Sequence, residues 1–189
     1  MALPRIGLFG GTFDPPHLGH VAALEAASAT GRFDVIVVTV AGDPYTKSST
    51  RQVRSAVERL ALAHAAFDDI ALVAVSDREI RRGGPSYTVE TVRELLPEAA
   101  SIDLLVGADA AATLPSWHGA SELATLVTVG IFPRPGSPVV FPDGFRCYEI
   151  DMGPVDLSST VVRTQLDDPA ALERSVPTEI IPLLSAATE

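Results

Sequence analysis

The sequence predicts an α/β fold in which helices cover both faces of a doubly wound, mostly parallel sheet. Two observations predict it. Short β-branched runs alternate with longer segments of helical period, which is typical of βαβ units. The run Val35–Val40 is apolar without interruption, as expected of a strand that is covered on both faces.

Six strands and three crossover helices are expected along the chain. The strands are Arg5–Phe9, Val35–Val40, Ile70–Val75, Ser101–Gly107, Leu126–Phe132 and Arg146–Ile150. Apolar residues recur at spacings of three and four in 17–29, 50–66 and 87–96, which predicts the helices. Thr88 is expected to cap the third helix, and the tail from Pro169 onward is expected to form one or two short helices.

Length and composition indicate one domain over residues 1–189. A chain of 189 residues fits one well-buried core and is short for two, and its 47% hydrophobic and 20% charged residues are ordinary for a folded protein. The late segment 156–189 is expected to belong to the same domain, because nothing after the Pro- and Gly-rich loop at 134–144 is long enough to fold alone.

The charge of the chain argues against nucleic acid as a partner. The net charge is −10, from 24 acidic and 14 basic residues, so a broad basic surface is absent and positive contacts to any anionic ligand must be local. Lys47 is the single lysine of the sequence. Lys47 can be a solvated loop lysine or a phosphate contact, and both interpretations stay open.

The cysteine count and the apolar runs indicate a cytoplasmic protein. Cys147 is the only cysteine, which excludes an intrachain disulfide and a Cys-based metal site. No apolar stretch approaches ~20 residues, and the start of the chain has too short an apolar run for a signal peptide. No association with a membrane is expected.

The stretch GGTFDPPHLGH, residues 10–20, is the strongest candidate for a functional site. It lies at the carboxyl end of the first strand, where open parallel sheets bind ligands. Gly10 and Gly11 let the backbone approach a phosphate closely, and the helix that follows aims N–H groups at an anion. His17 and His20 can face the same site and donate hydrogen bonds to phosphate oxygens.

Two other interpretations of this stretch stay open. The glycines can serve a turn alone, with the histidines on the surface of a helix start. The histidine pair can also ligate zinc, but a third ligand is needed and only His64 and His118 remain, without an HExxH pattern. No metal site built from protein side chains is therefore predicted.

GGTFDPPHLGH resembles the GGxFxPxHxGH signature of the nucleotidylyltransferase superfamily, and DLSSTVVR, residues 156–163, is similar to its ISSTxxR motif. The resemblance implies a Rossmann-like fold and a triphosphate site. It implies catalytic roles for His17, His20 and Arg163, and ATP contacts for Gly10, Gly11, Thr12, Phe13, Gly107, Asp109, Ser158, Ser159 and Thr160. Alone, a serine-rich segment before a helix is more often an N-cap, and Asp109 is also a candidate cap.

The segments RRGGPSYTVETVREL, VGADAAATLPSWHG and IFPRPG resemble bacterial nicotinate mononucleotide adenylyltransferases. This resemblance implies transfer of AMP from ATP, accompanied by Mg²⁺, to nicotinate mononucleotide. It places Thr88 and Trp117 around the nicotinate ring, the backbone near His118 on its carboxylate, and Lys47 at the end of a substrate loop.

Several alternatives to this function remain open. The acceptor can be nicotinamide mononucleotide or phosphopantetheine, and the chain can be a nucleotide-binding regulator without turnover. A homo-oligomer is possible. Trp117 can also be a core or edge residue of the fold.

Overall fold

Six strands form one sheet in the computed structural model, which describes residues 2–43, 53–135, 139–153, 155 and 157–185. The strands are β1 Arg5–Gly11, β2 Val35–Val40, β3 Val73–Ser76, β4 Ser101–Gly107, β5 Thr128–Phe132 and β6 Arg146–Glu149. Their order is β3-β2-β1-β4-β5-β6, and each neighbouring pair is parallel. The direction of winding reverses between β1 and β4, which confirms the predicted doubly wound, Rossmann-like sheet.

Helices cover both faces of this sheet. In the described part of the chain they are α1 Leu18–Ala29, α2 Ala56–Phe67, α3 Arg78–Arg82, α4 Thr88–Leu95, α5 Ala108–Ala111, α6 Ala120–Leu126, α7 Ser159–Arg163, α8 Pro169–Glu173 and α9 Ile181–Ser185. None of the helices in these ranges is long and apolar enough to span a bilayer.

The starts of two helices and one strand differ from the sequence prediction, each for a local structural reason. Helix α2 begins at Ala56, because Ser55 and Glu58 exchange hydrogen bonds as a capping box. Strand β3 begins at Val73, not at Ile70, because Leu72 has a φ of 65°, which a strand cannot accommodate. The expected cap at Thr88 is wrong, since Thr88 is the first residue inside α4.

The core divides into two layers, one on each face of the sheet, and a smaller third cluster. Leu8 packs in the layer under α4 and α6, whereas its neighbour Phe9 packs in the layer under α1 and α2. In the third cluster the apolar residues of the C-terminal helices pack against Leu62 of α2. Burying a large apolar side chain contributes roughly 1.5–3 kcal/mol, so the C-terminal helices hold the late motif against the body of the fold.

Candidate active site

The loop after β1 owes its shape to close packing between a glycine and an aromatic ring. A Cβ atom at Gly11 would lie 2.6 Å from the ring of Phe13. Phe13 itself has a φ of 50° and is fully buried in the core. Gly11 therefore allows the Phe13 ring to fold beneath the loop, and Phe13 supports the loop from inside instead of lining a cavity.

The two histidines stack at the start of α1. Their ring centroids are 3.7 Å apart with an interplanar angle of 26°. The backbone N–H of His17 donates to Nδ1 of His20 at 3.1 Å. Because Nδ1 of His20 accepts this bond, it carries no proton, and the ring proton of His20 lies on Nε2.

His17 is neutral at pH 7 in this structure. Burial lowers the pKa of its imidazole to about 4, with a smaller contribution from the positive charge of Arg134. Within the described residues, Nδ1 of His17 is buried without a hydrogen-bond partner. A Cβ atom at Gly19 would lie 3.0 Å from this Nδ1, so Gly19 leaves the space that the ring occupies.

A first cavity of about 280 Å³ opens at the carboxyl ends of β1, β4 and β5. It lies at the point where the winding of the sheet reverses, which is the usual ligand site of such folds. Its lining includes Gly10, His17, Gly19, His20, Gly107, Trp117, Arg134, Ser158 and Ser159. Both predicted phosphate motifs therefore border one cavity.

Direct hydrogen bonds tie the late motif to the early one. Nη1 of Arg163 donates to the carbonyl of Asp14 at 2.8 Å, and Nη2 donates to the hydroxyl of Thr160 at 2.9 Å. The hydroxyl of Ser159 donates to the carbonyl of Pro15 at 3.1 Å. Ser158 is the N-cap of α7 and also lines the first cavity, so its two interpretations are compatible.

A second cavity of about 240 Å³ lies on the other side of Gly10. Its lining includes Gly10, Gly11, Thr12, Thr39, Glu79, Ser86, Thr88, Val106, Ala110 and Trp117. Four of these residues, Gly10, Val106, Ala110 and Trp117, also line the first cavity. The two cavities therefore meet at Gly10 and Trp117, where groups from two ligands can come into contact.

Of the residues predicted around the nicotinate ring, some line a cavity and some do not. Thr88 lines the second cavity, and Trp117 lies between the two cavities with its indole N–H donating to Thr113 at 2.9 Å. The ring of His118 is exposed and stacks on Tyr87 with centroids 4.1 Å apart, outside the lining of either cavity. Lys47 lies outside the described residues.

Asp109 is not among the described residues that line either cavity. Its side chain is 73% exposed and forms an ion pair with Arg134 at 3.1 Å, and Arg134 lines the first cavity. The N-cap of α5 is Gly107, so the capping interpretation of Asp109 is wrong. Contact of Asp109 with adenosine stays a prediction.

Sequence reasoning missed a buried arginine that anchors the loops of the site. Arg59 of α2 is 1% exposed. Its guanidinium donates to the carbonyls of Thr12, Gly42 and Arg54 at 2.9, 3.1 and 3.0 Å. The available signal was its place on the apolar face of α2, three residues before the buried Leu62.

A second arginine is held by polar groups of a neighbouring helix. The side chain of Arg82 in α3 is 18% exposed, and its guanidinium donates to Thr91 and Glu94 of α4. These hydrogen bonds join α3 to α4.

Doubly wound sheets bind nucleotides at their point of reversal, and here two motifs that resemble those of nucleotidyltransferases lie at that point. Residues 8–165 match the cytidylyltransferase-like family. A protein of Exiguobacterium sibiricum named "probable nicotinate-nucleotide adenylyltransferase" is 38% identical over 183 residues, covering 95% of both chains. One of the same name from Gemmatimonas aurantiaca is 35% identical and covers 92% of this chain and 86% of its own.

The chain belongs to the cytidylyltransferase-like family, in the branch that contains these nicotinate-nucleotide adenylyltransferases. The fold agrees. The structure of Plasmodium falciparum nicotinic acid mononucleotide adenylyltransferase complexed with NaAD matches 97% of this chain and 95% of its own, with a TM-score of 0.80 and 17% identity. At that identity the likeness concerns the fold alone.

Proposed function

We propose that this protein transfers the AMP part of ATP to nicotinate mononucleotide, which forms nicotinate adenine dinucleotide and pyrophosphate in NAD biosynthesis. The observation that carries the proposal is the pair of cavities that meet at Gly10 and Trp117, because a transfer between two nucleotides needs two adjoining sites. The names of the relatives that cover nearly the whole chain support the choice of acceptor.

ATP occupies the first cavity in this proposal. Its triphosphate lies along His17, His20 and the serines of the late motif, and its adenosine lies toward Gly107. Nε2–H of His20 donates to the α-phosphate, because Nδ1 is already used by the backbone. Arg163 holds the late motif against Asp14 and adds positive charge for the leaving pyrophosphate.

Nicotinate mononucleotide occupies the second cavity, with its ring against Trp117 and near Thr88. Its phosphate reaches the junction at Gly10. There an oxygen of this phosphate forms a bond to the α-phosphorus, and the bond from the α-phosphorus to the bridging oxygen of the β-phosphate breaks. The attacking phosphate is already an anion at neutral pH, so no general base is needed.

Enzymes of this family generally use ATP with a divalent metal, and we propose Mg²⁺ here. The described residues contain no group of three or more His, Cys, Asp or Glu side chains that could hold a metal ion. The described lining of the first cavity also has no carboxylate. A Mg²⁺ ion would therefore be held here through the phosphates of ATP and not by protein carboxylates, and it would supply positive charge to them.

The setting of the reaction follows from the same proposal. We expect catalysis in the cytoplasm, without nucleic acid or a membrane as a partner. Assembly into a homo-oligomer stays a prediction.

The test is a pyrophosphate-release assay with ATP and, in parallel, nicotinate mononucleotide, nicotinamide mononucleotide and phosphopantetheine. We expect the highest kcat/KM with nicotinate mononucleotide. Turnover with phosphopantetheine alone would assign the chain to another branch of the family. Tight ATP binding without pyrophosphate release from any acceptor would make the protein a nucleotide-binding regulator.

A further inference from the structure

Glu79 is the one charged side chain among the described residues that line the second cavity. It lies in α3, just after β3, and is 7% exposed. The other lining residues are apolar or glycine, or carry a hydroxyl, with the indole of Trp117 among them. A nearly buried carboxylate in such a lining is costly unless something compensates its charge.

A hydrogen bond from a neighbouring helix orients this carboxylate. The hydroxyl of Thr91 accepts hydrogen bonds from both Nη atoms of Arg82 at 3.2 Å and donates its own proton to Oε1 of Glu79 at 2.8 Å. Arg82 forms its ion pairs with Glu90 and Glu94. In the described part of the chain, no ion pair joins a basic side chain to Glu79.

A second polar group in the same cavity is also incomplete. Thr39 is 1% exposed, and its hydroxyl oxygen has no hydrogen-bond partner among the described residues. Thr39 lines the second cavity and pairs in register with Gly10, at the junction of the two cavities. Buried polar atoms nearly always have partners, so this one indicates a site that a polar ligand completes.

We propose that Glu79 recognises the positive charge of a pyridinium ring, so that the second cavity selects a mononucleotide with a cationic ring. This inference rests on the proposed function and names a further specificity residue for it. The ring nitrogen of a pyridine mononucleotide carries a permanent charge. An indole face and a carboxylate both attract a flat organic cation, and the cavity contains both in Trp117 and Glu79.

The experiment compares nicotinate mononucleotide with its 1,4-dihydro form, which has the same groups but no ring charge. The measured quantity is the ratio of the two dissociation constants, each obtained by calorimetric titration of the protein with one mononucleotide in the absence of ATP. In the wild-type protein we expect the dihydro form to bind roughly tenfold more weakly. This factor corresponds to a fraction of the attraction between two unit charges at an intermediate dielectric constant. In Glu79→Gln we expect the ratio to fall close to one.

Glu94→Gln is the matched control. It removes a negative charge from the same Arg82 network, but Glu94 is not part of the cavity lining, so the wild-type ratio is expected to persist. In Glu79→Gln the amide oxygen of the new side chain can still accept from Thr91, and an unchanged melting temperature and ATP KM will show that this variant is folded.

Two results would overturn the inference. One is a ratio near one in the wild-type protein, which needs no variant at all. The other is a folded Glu79→Gln protein that keeps the wild-type ratio. Failure of the proposed function is distinct, because it appears as absence of turnover with any pyridine mononucleotide.

Discussion

His17 and His20 show how two residues of one type acquire different states from their surroundings. His20 accepts a backbone N–H through Nδ1, which leaves Nε2–H as its donor. His17 is buried, and its pKa is lowered to about 4. Both rings are therefore suited to donating or accepting hydrogen bonds in the neutral form before a phosphate arrives.

Replacing His20 by Ala should remove one preoriented donor to the α-phosphate. We expect kcat to fall roughly 10²–10³-fold with a smaller change in the KM for ATP, because the bond strengthens as charge develops. Steady-state kinetics measure both constants. His64→Ala is the control, since His64 is exposed and pairs with Asp68 away from the cavities; a near-normal kcat for the His20 variant would contradict the role.

The lowered pKa of His17 makes stability depend on pH. The unfolded chain binds a proton near the ordinary value of 6.5, whereas the folded protein does so only near 4. The stabilisation is therefore complete above pH 6.5 and is lost as pH falls toward 4, by about 3 kcal/mol in total.

The comparison of wild type with His17→Asn isolates this effect. We expect the free energy of unfolding of the variant, from urea titrations at several pH values, to fall less between pH 6.5 and 4. Parallel curves for the two proteins over this range would contradict a buried neutral His17.

Loops and helices around the site depend on a few anchoring side chains. Arg59 of α2 connects Thr12 after β1 with Gly42 after β2, so one guanidinium fixes two loops that border the second cavity. Arg163 of α7 performs a similar role for the late motif by bonding to Asp14. The elements are therefore positioned by charged groups that bond to backbone carbonyls.

Arg59→Met tests how much the hydrogen bonds of Arg59 contribute to the stability of the protein. It leaves three buried or half-buried carbonyls without their charged donor, and we expect the free energy of unfolding to fall by about 3 kcal/mol or more. Urea unfolding measures this loss. Arg81 is exposed and pairs locally with Asp77, so Arg81→Met should change stability by less than about 0.5 kcal/mol. Equal effects of the two variants would contradict the anchoring role of Arg59.

The existence and order of the strands and the histidine pair could be predicted from the sequence, because both are local patterns, whereas some strand ends could not. Unbroken apolar runs marked the buried strands, and GGTFDPPHLGH carried its glycines and histidines in one stretch. Arg59 was not predictable from its type, since an arginine on a helix is usually solvated. Its role depends on carbonyls from two loops that are distant in the sequence. Glu79 was not predictable for a related reason, because the fold brings it to a cavity that residues of β1 and β2 also line.

The whole molecule brings the distant motifs together through its sheet order. Segments that are about 140 residues apart in the sequence meet because β1 and β4 are neighbours at the point of reversal and the C-terminal helices pack on α2. One domain over residues 1–189 stays a prediction that this packing supports. In this arrangement the two cavities meet at Gly10 and Trp117.

The central claim is that two nucleotides react directly across that junction, and the stereochemistry at the α-phosphorus tests it. ATP made chiral at the α-phosphorus is incubated with nicotinate mononucleotide, and the configuration of the dinucleotide product is determined by ³¹P NMR. A single in-line displacement predicts inversion of configuration. Retention would mean two successive displacements through a covalent intermediate and would contradict the account.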